Sequence, residues 1–367
     1  MESFICNECA KLYNITASRW RCECGGLLNL HKLNSENKKI STSIPSLWRY
    51  HQFIPVNKNE WQKITMGEGF TAMIPIDQIA TTTRSFFKMD YMMPTLSFKD
   101  RGASVLISKA KELGVQQVIV DSSGNAGNSI AAYARRANIK CDVYVSETTS
   151  PNKIKQLQSY DANIVKIHGT REDVANAAQN AVIKTKNFYA SHIFNPYFYE
   201  GTKTYAFETW EELGYVPDTM IVPVGNGTLL LGIYYGFKEL YELNLTSKIP
   251  KLIAIQSANC APLATAFNAG DSDFKKINTS ETLAEGIAIA EPLRASQILN
   301  AIRNTNGSFY TVNENEIFDA HQKLSHRGLF VEHTTAANYA GFLKYKSANE
   351  NESIVVPLCG SGLKSLK

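Results

Sequence analysis

The segment 118–145, VIVDSSGNAGNSIAAYARRANIKCDVYV, decides the fold class. Apolar runs at 118–120 and 141–145 predict two short buried strands, and a helical pattern at 129–137 lies between them. The alternation continues with predicted strands at 85–89, 164–167, 219–223, 251–255 and 354–357 and predicted helices at 103–113, 153–159 and 229–243. Strands and helices that alternate at this spacing predict an α/β protein, with parallel sheets covered by helices on both faces.

The composition is that of an ordinary globular protein, since 44% of the 367 residues are hydrophobic and 20% are charged. The net charge is +4 and the two signs are mixed, so we expect neither nucleic acid nor a membrane surface as a partner. We find no apolar stretch of about 18 residues and no secretory signal. The odd count of seven cysteines suits a reducing compartment, and we expect a cytoplasmic protein.

Three segments place small or polar residues between a predicted strand and a predicted helix, where α/β proteins bind ligands. They are PTLSFKDRG at 94–102, SSGNAGN at 122–128 and VGNGT at 224–228. The glycines of 224–228 let backbone N–H groups approach an anion, and the following helix adds the positive end of its dipole. On its own, this segment is more simply explained as a glycine turn.

The other two segments also have a simpler explanation when each is taken alone. The hydroxyl and amide groups of 122–128 suit a substrate carboxylate and a ring hydroxyl, but they equally suit the start of a helix. Lys99 lies at a predicted helix start, where the helix dipole and partial burial favour its neutral, nucleophilic form. An exposed lysine paired with Asp100 is the simpler explanation.

Taken together, the three segments resemble the cofactor loops of the fold-type-II pyridoxal 5′-phosphate (PLP) enzymes, which include threonine synthase, serine/threonine dehydratase and the cysteine synthase group. The form SFKDRG at 97–102 is most similar to threonine synthase. Further segments resemble family motifs in the same order, namely GEGFT at 67–71, NP at 195–196, EGTKT at 200–204 and CGSGLK at 359–364. The resemblance covers residues 67–367.

The resemblance implies a tryptophan synthase β-like fold with two parallel-sheet α/β domains. We expect a large PLP domain at 67–88 and 186–367 and a small domain at 89–185. A zinc-ribbon-like head at 1–32 and a linker at 33–66 precede them. The resemblance also implies a homodimer that acts on a small amino-acid substrate.

The resemblance assigns roles to individual residues. Lys99 resembles the lysine that holds PLP as a Schiff base and then acts as general base at the substrate Cα. Asn125 resembles the asparagine that bonds the cofactor's ring hydroxyl, and Cys359 takes the place of the hydroxyl residue that faces the pyridine nitrogen. Four further residues resemble the loop that holds the cofactor phosphate, called here the phosphate cup: Gly225, Asn226, Gly227 and Thr228. Three others lie where the family binds the substrate carboxylate: Ser122, Ser123 and Asn128.

Several residues depart from the threonine synthase pattern. Threonine synthases grip the phosphate of O-phosphohomoserine, and the resemblance predicts an Asn-Ser pair before the NP element and an arginine after it. His192-Ile193 and Phe198 stand at these positions, so a dianionic phosphate lacks its best partner. The segment AEG at 284–286 looks more like a dehydratase loop, which offers Glu285 to protonate a leaving group.

We therefore expect a PLP-dependent lyase that eliminates or replaces a modest β-leaving group, such as a hydroxyl, on a small amino acid. A thiol opposite the pyridine nitrogen suits this chemistry, because it leaves the ring a weaker electron sink than a carboxylate does. Threonine synthase proper is the alternative reaction. A non-catalytic relative that binds PLP or an amino acid is the alternative of another class.

The head carries Cys6-x2-Cys9 and Cys22-x-Cys24, which together offer four thiolates to one zinc ion in a small ribbon. The second pair is tighter than the usual CxxC, and an unmetallated knuckle is the alternative. The head is far in sequence from every cofactor loop, so we expect its role to be structural. Few basic residues lie nearby, and we do not expect it to bind nucleic acid.

Overall fold

A computed structural model describes residues 2–31, 38–76 and 84–365 of the chain. The described strands are β1 Ser3–Cys6, β2 Leu12–Tyr13, β3 Leu28–His31, β4 Met73–Pro75, β5 Ser85–Lys88, β6 Gln117–Val120, β7 Lys140–Ser146, β8 Asn163–Ile167, β9 Phe188–Tyr189, β10 Thr219–Pro223, β11 Lys251–Ser257, β12 Ser308–Val312 and β13 Ile354–Pro357. The described α-helices are α1 Lys58–Ile64, α2 Lys99–Glu112, α3 Asn125–Arg136, α4 Pro151–Ser159, α5 Arg171–Thr185, α6 Pro196–Thr202, α7 Thr204–Leu213, α8 Thr228–Glu242, α9 Pro262–Asn268, α10 Ala295–Asn304, α11 Glu314–Ser325 and α12 His333–Lys346.

Each strand and helix predicted from the sequence is present, and the differences lie at the ends. The predicted strands at 219–223 and 354–357 coincide with β10 and β13. By contrast, α2 begins at Lys99 rather than at 103, and α3 begins at Asn125 rather than at 129. The first turns of these helices lack the apolar period of a helix, because small and polar residues form them.

The chain divides into two compact units, which are residues 1–69 with 99–202 and residues 70–98 with 203–367. The sequence analysis predicted domain boundaries after residues 66, 88 and 185, whereas the units divide after residues 69, 98 and 202. The cysteine-rich head and the linker expected at 33–66 belong to the first unit rather than standing apart from it. Residues 32–37 and 77–83, which fall in the expected head, linker and large domain, lie outside the described residues.

The first unit contains a four-stranded sheet in the order β8-β7-β6-β9, and all of its strand pairs are parallel. A separate antiparallel sheet in the order β2-β1-β3 forms the head. One hydrophobic core includes Phe4 of the head, Trp48 of the following segment, Leu106 of α2 and Val118 of β6. The head is therefore packed into the core of this unit.

A buried carboxylate joins residues of the predicted linker to α3 within the first unit. Glu68 is fully buried and accepts a hydrogen bond from Trp48 Nε1 at 2.7 Å and one from Tyr133 Oη at 3.0 Å. The Trp48 ring stacks on Trp61 of α1 with 4.9 Å between ring centres. These contacts make the part of the chain from Trp48 to Glu68 an integral part of the first unit.

The second unit contains a six-stranded sheet in the order β12-β11-β10-β13-β5-β4. Its pairs are parallel except for β4 with β5, which is antiparallel. Every residue of the central strands β10 and β13 is buried, which explains their nearly continuous apolar sequences. Within the described part of the chain, no helix has both the length and the apolar character needed to cross a membrane.

Candidate active site

Lys99 is the first residue of α2, in the first unit. Its neighbour Asp100 is fully buried and accepts a hydrogen bond from Ser129 Oγ at 2.5 Å, which ties the start of α2 to α3. Lys99 Nζ lies 5.8 Å from the centre of the Phe198 ring. The predicted reactive lysine therefore projects from an anchored helix start and lies beside an aromatic side chain.

The segment 122–128 connects β6 to α3 and folds back tightly on itself. A Cβ on Gly127 would lie 1.6 Å from the Ser122 carbonyl oxygen, so this turn requires glycine. Ser122, Ser123 and Asn125 are partly exposed in the loop and at the first position of the helix. Asn128 is only 4% exposed, and neither atom of its amide group has a hydrogen-bond partner among the described residues. A buried amide without partners fits a site that a ligand completes.

His192 lies at the same end of the sheet's strands as segment 122–128. The sequence did not single it out as a site residue. It is 7% exposed, and its ring centre is 5.9 Å from that of Phe198. Burial, together with the positive charges of Lys99 and Arg171, holds the pKa of His192 well below its usual range. The imidazole is therefore neutral near pH 7. A mismatch with the family pattern at 192–193 is the only signal in the sequence that pointed to this residue.

Phe198 occupies the position where the resemblance predicts an arginine. The ring is fully buried in α6, next to α2. A Cβ on Gly102 of α2 would lie 2.4 Å from Phe198 Cδ1, and one on Gly201 would lie 1.9 Å from the Arg101 carbonyl oxygen. Two glycines thus let α2 and α6 pack at close range, and Phe198 fills the contact with apolar surface.

The segment 224–228 leads directly from β10 into α8, in the second unit. Gly227 has a φ of +73°, and a Cβ there would lie 2.5 Å from Ile298 Cδ1. A Cβ on Gly225 would lie 2.8 Å from Ile289 Cγ1. Because α8 begins at Thr228, its first N–H groups and its dipole favour an anion at this loop. The geometry fits the phosphate cup that the resemblance implies.

Cys359 is 1% exposed and follows β13 in the second unit. Its carbonyl oxygen accepts a hydrogen bond from the N–H of Phe98 at 2.9 Å, and Ser97 forms an antiparallel bridge with Gly360. The residues that precede Lys99 in the sequence are therefore bonded to the segment around Cys359. Ser97 Oγ is buried without a hydrogen-bond partner among the described residues, which fits a polar group of a ligand nearby.

In the enzymes that the three segments resemble, the pattern PTG has glycine at the position of Leu96, which adopts a left-handed φ of +62°. This backbone region suits glycine and strains a residue with a Cβ. The turn is closed by a hydrogen bond from Leu96 N–H to the Met93 carbonyl oxygen at 2.7 Å. The backbone thus adopts a left-handed turn at 96 even though leucine replaces the glycine.

Glu285 is exposed and begins the short 3-10 helix Glu285–Ile287. The adjacent Gly286 donates its N–H to Thr334 Oγ1 at 3.0 Å, which fastens this loop to the first turn of α12. The ring of His333 in the same turn stacks on that of His321 with 4.7 Å between centres. Burial, followed by the neighbouring His321, lowers the pKa of His333. The loop that the sequence assigned to leaving-group protonation is therefore held against α12.

The structure brings the four cysteines of the head together. Their sulfur atoms all lie within 4.8 Å of one another, with Cys6 and Cys24 at 3.6 Å and Cys9 and Cys22 at 3.5 Å. The short CxC spacing therefore does not prevent a cluster. Such a set of four sulfurs fits a tetrahedral zinc ion. All seven cysteines of the chain are free thiols.

Each unit thus carries its own set of predicted site residues. The first unit holds Lys99, Ser122, Ser123, Asn125 and Asn128. The second unit holds Gly225, Asn226, Gly227, Thr228, Glu285 and Cys359. Segment 122–128 follows β6 and segment 224–228 follows β10, and each leads into a helix, which is where α/β proteins bind ligands.

The chain is similar to several known proteins. Residues 64–360 match the family described as pyridoxal-phosphate dependent enzyme. A threonine synthase of Methanocaldococcus jannaschii is 33% identical over 374 aligned positions, which cover 98% of this chain and 92% of that protein. A threonine synthase of Synechocystis is 35% identical and covers 86% of this chain and 82% of that protein.

Solved structures show the same fold. Maize serine racemase superposes with a TM-score of 0.67 at 21% identity, covering 80% of this chain and 88% of that one. Threonine deaminase isoform 2 of Solanum lycopersicum superposes with a TM-score of 0.70 at 20% identity, covering 90% and 92%. The family match spans most of the sequence, and the curated relatives exceed 30% identity over nearly its whole length. The chain therefore belongs to the pyridoxal-phosphate dependent enzyme family and is a PLP-dependent lyase.

Proposed function

We propose that this lyase is of the threonine synthase type and acts by elimination or replacement on a small amino acid whose leaving group carries no phosphate. The observation that carries the proposal is the buried ring of Phe198 beside Lys99, at the position of the expected arginine. An aromatic ring offers no hydrogen bonds to a phosphate dianion. A guanidinium would contribute about 1.5–3 kcal/mol per charged hydrogen bond.

Arg171 lies at the same edge of the first unit's sheet, but its charge is already paired. Its NH1 donates to the Asp121 carbonyl oxygen at 2.6 Å and lies 3.3 Å from Asp121 Oδ2. The nearby imidazole of His192 is neutral, because its pKa is held below the usual range, and it adds no positive charge. These contacts support a substrate without a phosphate.

The residues of the chain fit the PLP cofactor. The glycine cup at 225–228 would hold the phosphate through backbone N–H groups, and Asn125 would bond the ring hydroxyl. PLP, when bound, withdraws electrons from the Cα of an amino acid. Lys99 would hold the cofactor covalently through Nζ, and its free amine would accept the proton from Cα.

The remaining residues orient the substrate and the leaving group. Ser122, Ser123 and Asn128 would bind the substrate carboxylate, and the unpartnered Asn128 amide supports this assignment. The buried Cys359 thiol would face the ring nitrogen. Glu285 would donate a proton to the departing group from the loop that Thr334 fastens.

Steady-state kinetics test the proposal. We expect kcat/KM to be higher for L-serine or L-threonine, with release of a 2-oxo acid, than for O-phosphohomoserine. A far higher kcat/KM for O-phosphohomoserine, with stoichiometric phosphate release, would establish threonine synthase instead. That second candidate rests on the names of the curated relatives, which are threonine synthases at 30–35% identity.

Loss of function at Lys99 separates an enzyme from a non-catalytic binding protein. We expect Lys99→Ala to bind PLP without a covalent bond and to lose turnover. Borohydride reduction followed by mass spectrometry reports the bond, and Lys58→Ala, on the exposed surface of α1, serves as the control. Full activity of Lys99→Ala would contradict the assigned role.

For the head, we propose one structural zinc ion bound by Cys6, Cys9, Cys22 and Cys24, supported by the spacing of their sulfurs.

We also propose that the enzyme is a cytoplasmic homodimer, as the family resemblance and the free thiols suggest. Sedimentation of the holoenzyme measures its oligomeric state. A monomer at micromolar concentration would contradict the dimer.

A further inference from the structure

The position of His192 follows from the register of two neighbouring strands in the first unit. Strand β9 pairs in parallel with β6, with Ile119 opposite Tyr189, and the Ala190 N–H donates to the Ile119 carbonyl oxygen at 2.8 Å. Residues that follow parallel strands emerge at the same edge of the sheet. His192 and segment 122–128 therefore lie at the same end of these strands, and the ring of Phe198 lies near both His192 and Lys99.

The hydrogen bonding of His192 is incomplete. The side chain is deeply buried, since the residue is 7% exposed, and its Nδ1 has no hydrogen-bond partner among the described residues. Burying a polar atom without a hydrogen-bond partner is unfavourable. Asn128 carries the same cost at the same edge of the sheet. Two unsatisfied polar side chains at one sheet edge indicate a ligand that completes their hydrogen bonds.

The segment around His192 is held rigidly. Trp20 of the cysteine-rich head packs edge-on against Tyr189 at 5.2 Å and against Phe194 at 5.1 Å between ring centres. Ser191 Oγ accepts the N–H of Ile193 at 3.3 Å. Aromatic residues on both sides of His192 thus fix the backbone on which it lies. A side chain mounted in this way suits a precise contact with a ligand.

We propose that His192 is a substrate-contacting residue that binds the side-chain hydroxyl of a small amino acid, and so determines specificity at the distal end of the substrate. This inference rests on the proposed function. Lys99 acts at Cα and the segment 122–128 takes the carboxylate, which leaves the distal group for the Phe198 side of Lys99, where His192 lies. A neutral imidazole donates or accepts one hydrogen bond and matches a hydroxyl.

A site built to bond a substrate hydroxyl discriminates strongly against an analogue without it. We therefore expect the wild-type holoenzyme to bind L-serine at least about tenfold more tightly than L-alanine, measured by stopped-flow titration of the cofactor absorbance before turnover. His192→Phe should abolish this preference and should lower kcat/KM for L-serine or L-threonine by about tenfold or more. His192→Asn, which keeps a hydrogen-bonding group, should retain part of the preference.

The melting temperature distinguishes this role from a structural one. His192→Phe removes an unsatisfied buried polar atom, so its melting temperature should equal or exceed that of the wild type. Ser108→Ala is the matched control, because Ser108 Oγ is also buried and unpartnered among the described residues, but lies nine positions after Lys99 on α2. This control should leave the preference for L-serine and kcat/KM unchanged.

The outcomes separate this inference from the proposed function. If the wild type turns over none of these amino acids, the proposed function fails. The role of His192 is then tested only by whether L-serine binds more tightly than L-alanine. Equal affinities of the wild type for the two amino acids, or no binding of either, would overturn the inference. A preference or a kcat/KM that His192→Phe leaves unchanged would overturn it as well. If His192→Phe does not fold, His192→Ala takes its place, and an unchanged preference for L-serine in that variant would equally overturn the inference.

Discussion

Gly102 and Phe198 are in such close contact that a Cβ on Gly102 would lie 2.4 Å from Phe198 Cδ1. The contact joins α2, which begins with Lys99, to α6, which follows the segment carrying His192. The absence of a side chain at 102 thus allows an aromatic residue to lie beside Lys99.

We expect Gly102→Ala to destabilise the protein by about 1–3 kcal/mol, because the added methyl group overpacks a buried contact. Denaturant unfolding measures the loss. The double variant Gly102→Ala/Phe198→Leu should recover part of it, since leucine leaves room for the methyl group. An unchanged free energy of unfolding for Gly102→Ala would show that the ring moves aside without cost.

The buried carboxylate of Glu68 is expected to stabilise the first unit strongly. Besides Trp48 Nε1 and Tyr133 Oη, it accepts hydrogen bonds from Thr65 Oγ1 at 3.2 Å and from the Met66 N–H at 2.8 Å. Glu68→Ala leaves these donors unpaired and should lower the free energy of unfolding by about 3 kcal/mol or more. Tyr133→Phe removes one donor only and should cost about 1 kcal/mol. Equal losses in the two variants would contradict this account.

The glycine cup predicts a specific loss of cofactor affinity. Gly227→Val combines a left-handed φ of +73° with a clash against Ile298, so we expect the dissociation constant for PLP to rise by about tenfold or more. Gly214→Val is the matched control, because Gly214 has a φ of +72° and an added Cβ would meet no atom within 4 Å. It introduces the same backbone strain outside the cup. The prediction fails if both variants bind PLP equally well.

The cysteine cluster predicts about one zinc ion per chain in protein purified without a chelator, measured by elemental analysis. Cys9→Ser should remove the metal and lower the melting temperature by about 4 °C or more, as a loss of about 2 kcal/mol would in a domain of this size. Cys260→Ser, at a buried site outside the head, should keep its zinc. Metal-free wild-type protein would support the unmetallated knuckle.

The free energy of unfolding should decrease below about pH 6.5, which is the usual pKa of histidine. Burial lowers the pKa of His192 in the folded protein, so the unfolded chain binds a proton in this range while the folded one does not. The free energy of unfolding is therefore highest above this pH and decreases as the pH falls, by up to about 1.4 kcal/mol per pH unit. Burial also lowers the pKa of His333, which acts in the same direction. His192→Asn should reduce the slope between about pH 6.5 and 5.5 in urea unfolding experiments, and an unchanged slope would contradict the prediction.

The sequence by itself determined the fold class, seven of the thirteen described strands and the segments that resemble cofactor loops, because these depend on local patterns. Buried parallel strands such as β10 and β13 are continuous apolar runs, and their ends are marked by polar or small residues. The motif around Lys99 and the glycines at 225 and 227 reflect local backbone geometry, which sequence order preserves. Their match to a known family required no knowledge of how distant segments meet.

Only the tertiary structure decided which side chains lie beside Lys99. Strand β9 has just two residues, too few for a periodic signal, yet its pairing with β6 brings His192 to the end of the strands where segment 122–128 lies. The contact of Phe198 with Gly102 joins residues far apart in the sequence and has no local pattern. The same is true of the four sulfurs, since the antiparallel sheet of the head brings the CxxC and CxC pairs together. Such contacts arise from packing between distant segments, which a local pattern does not encode.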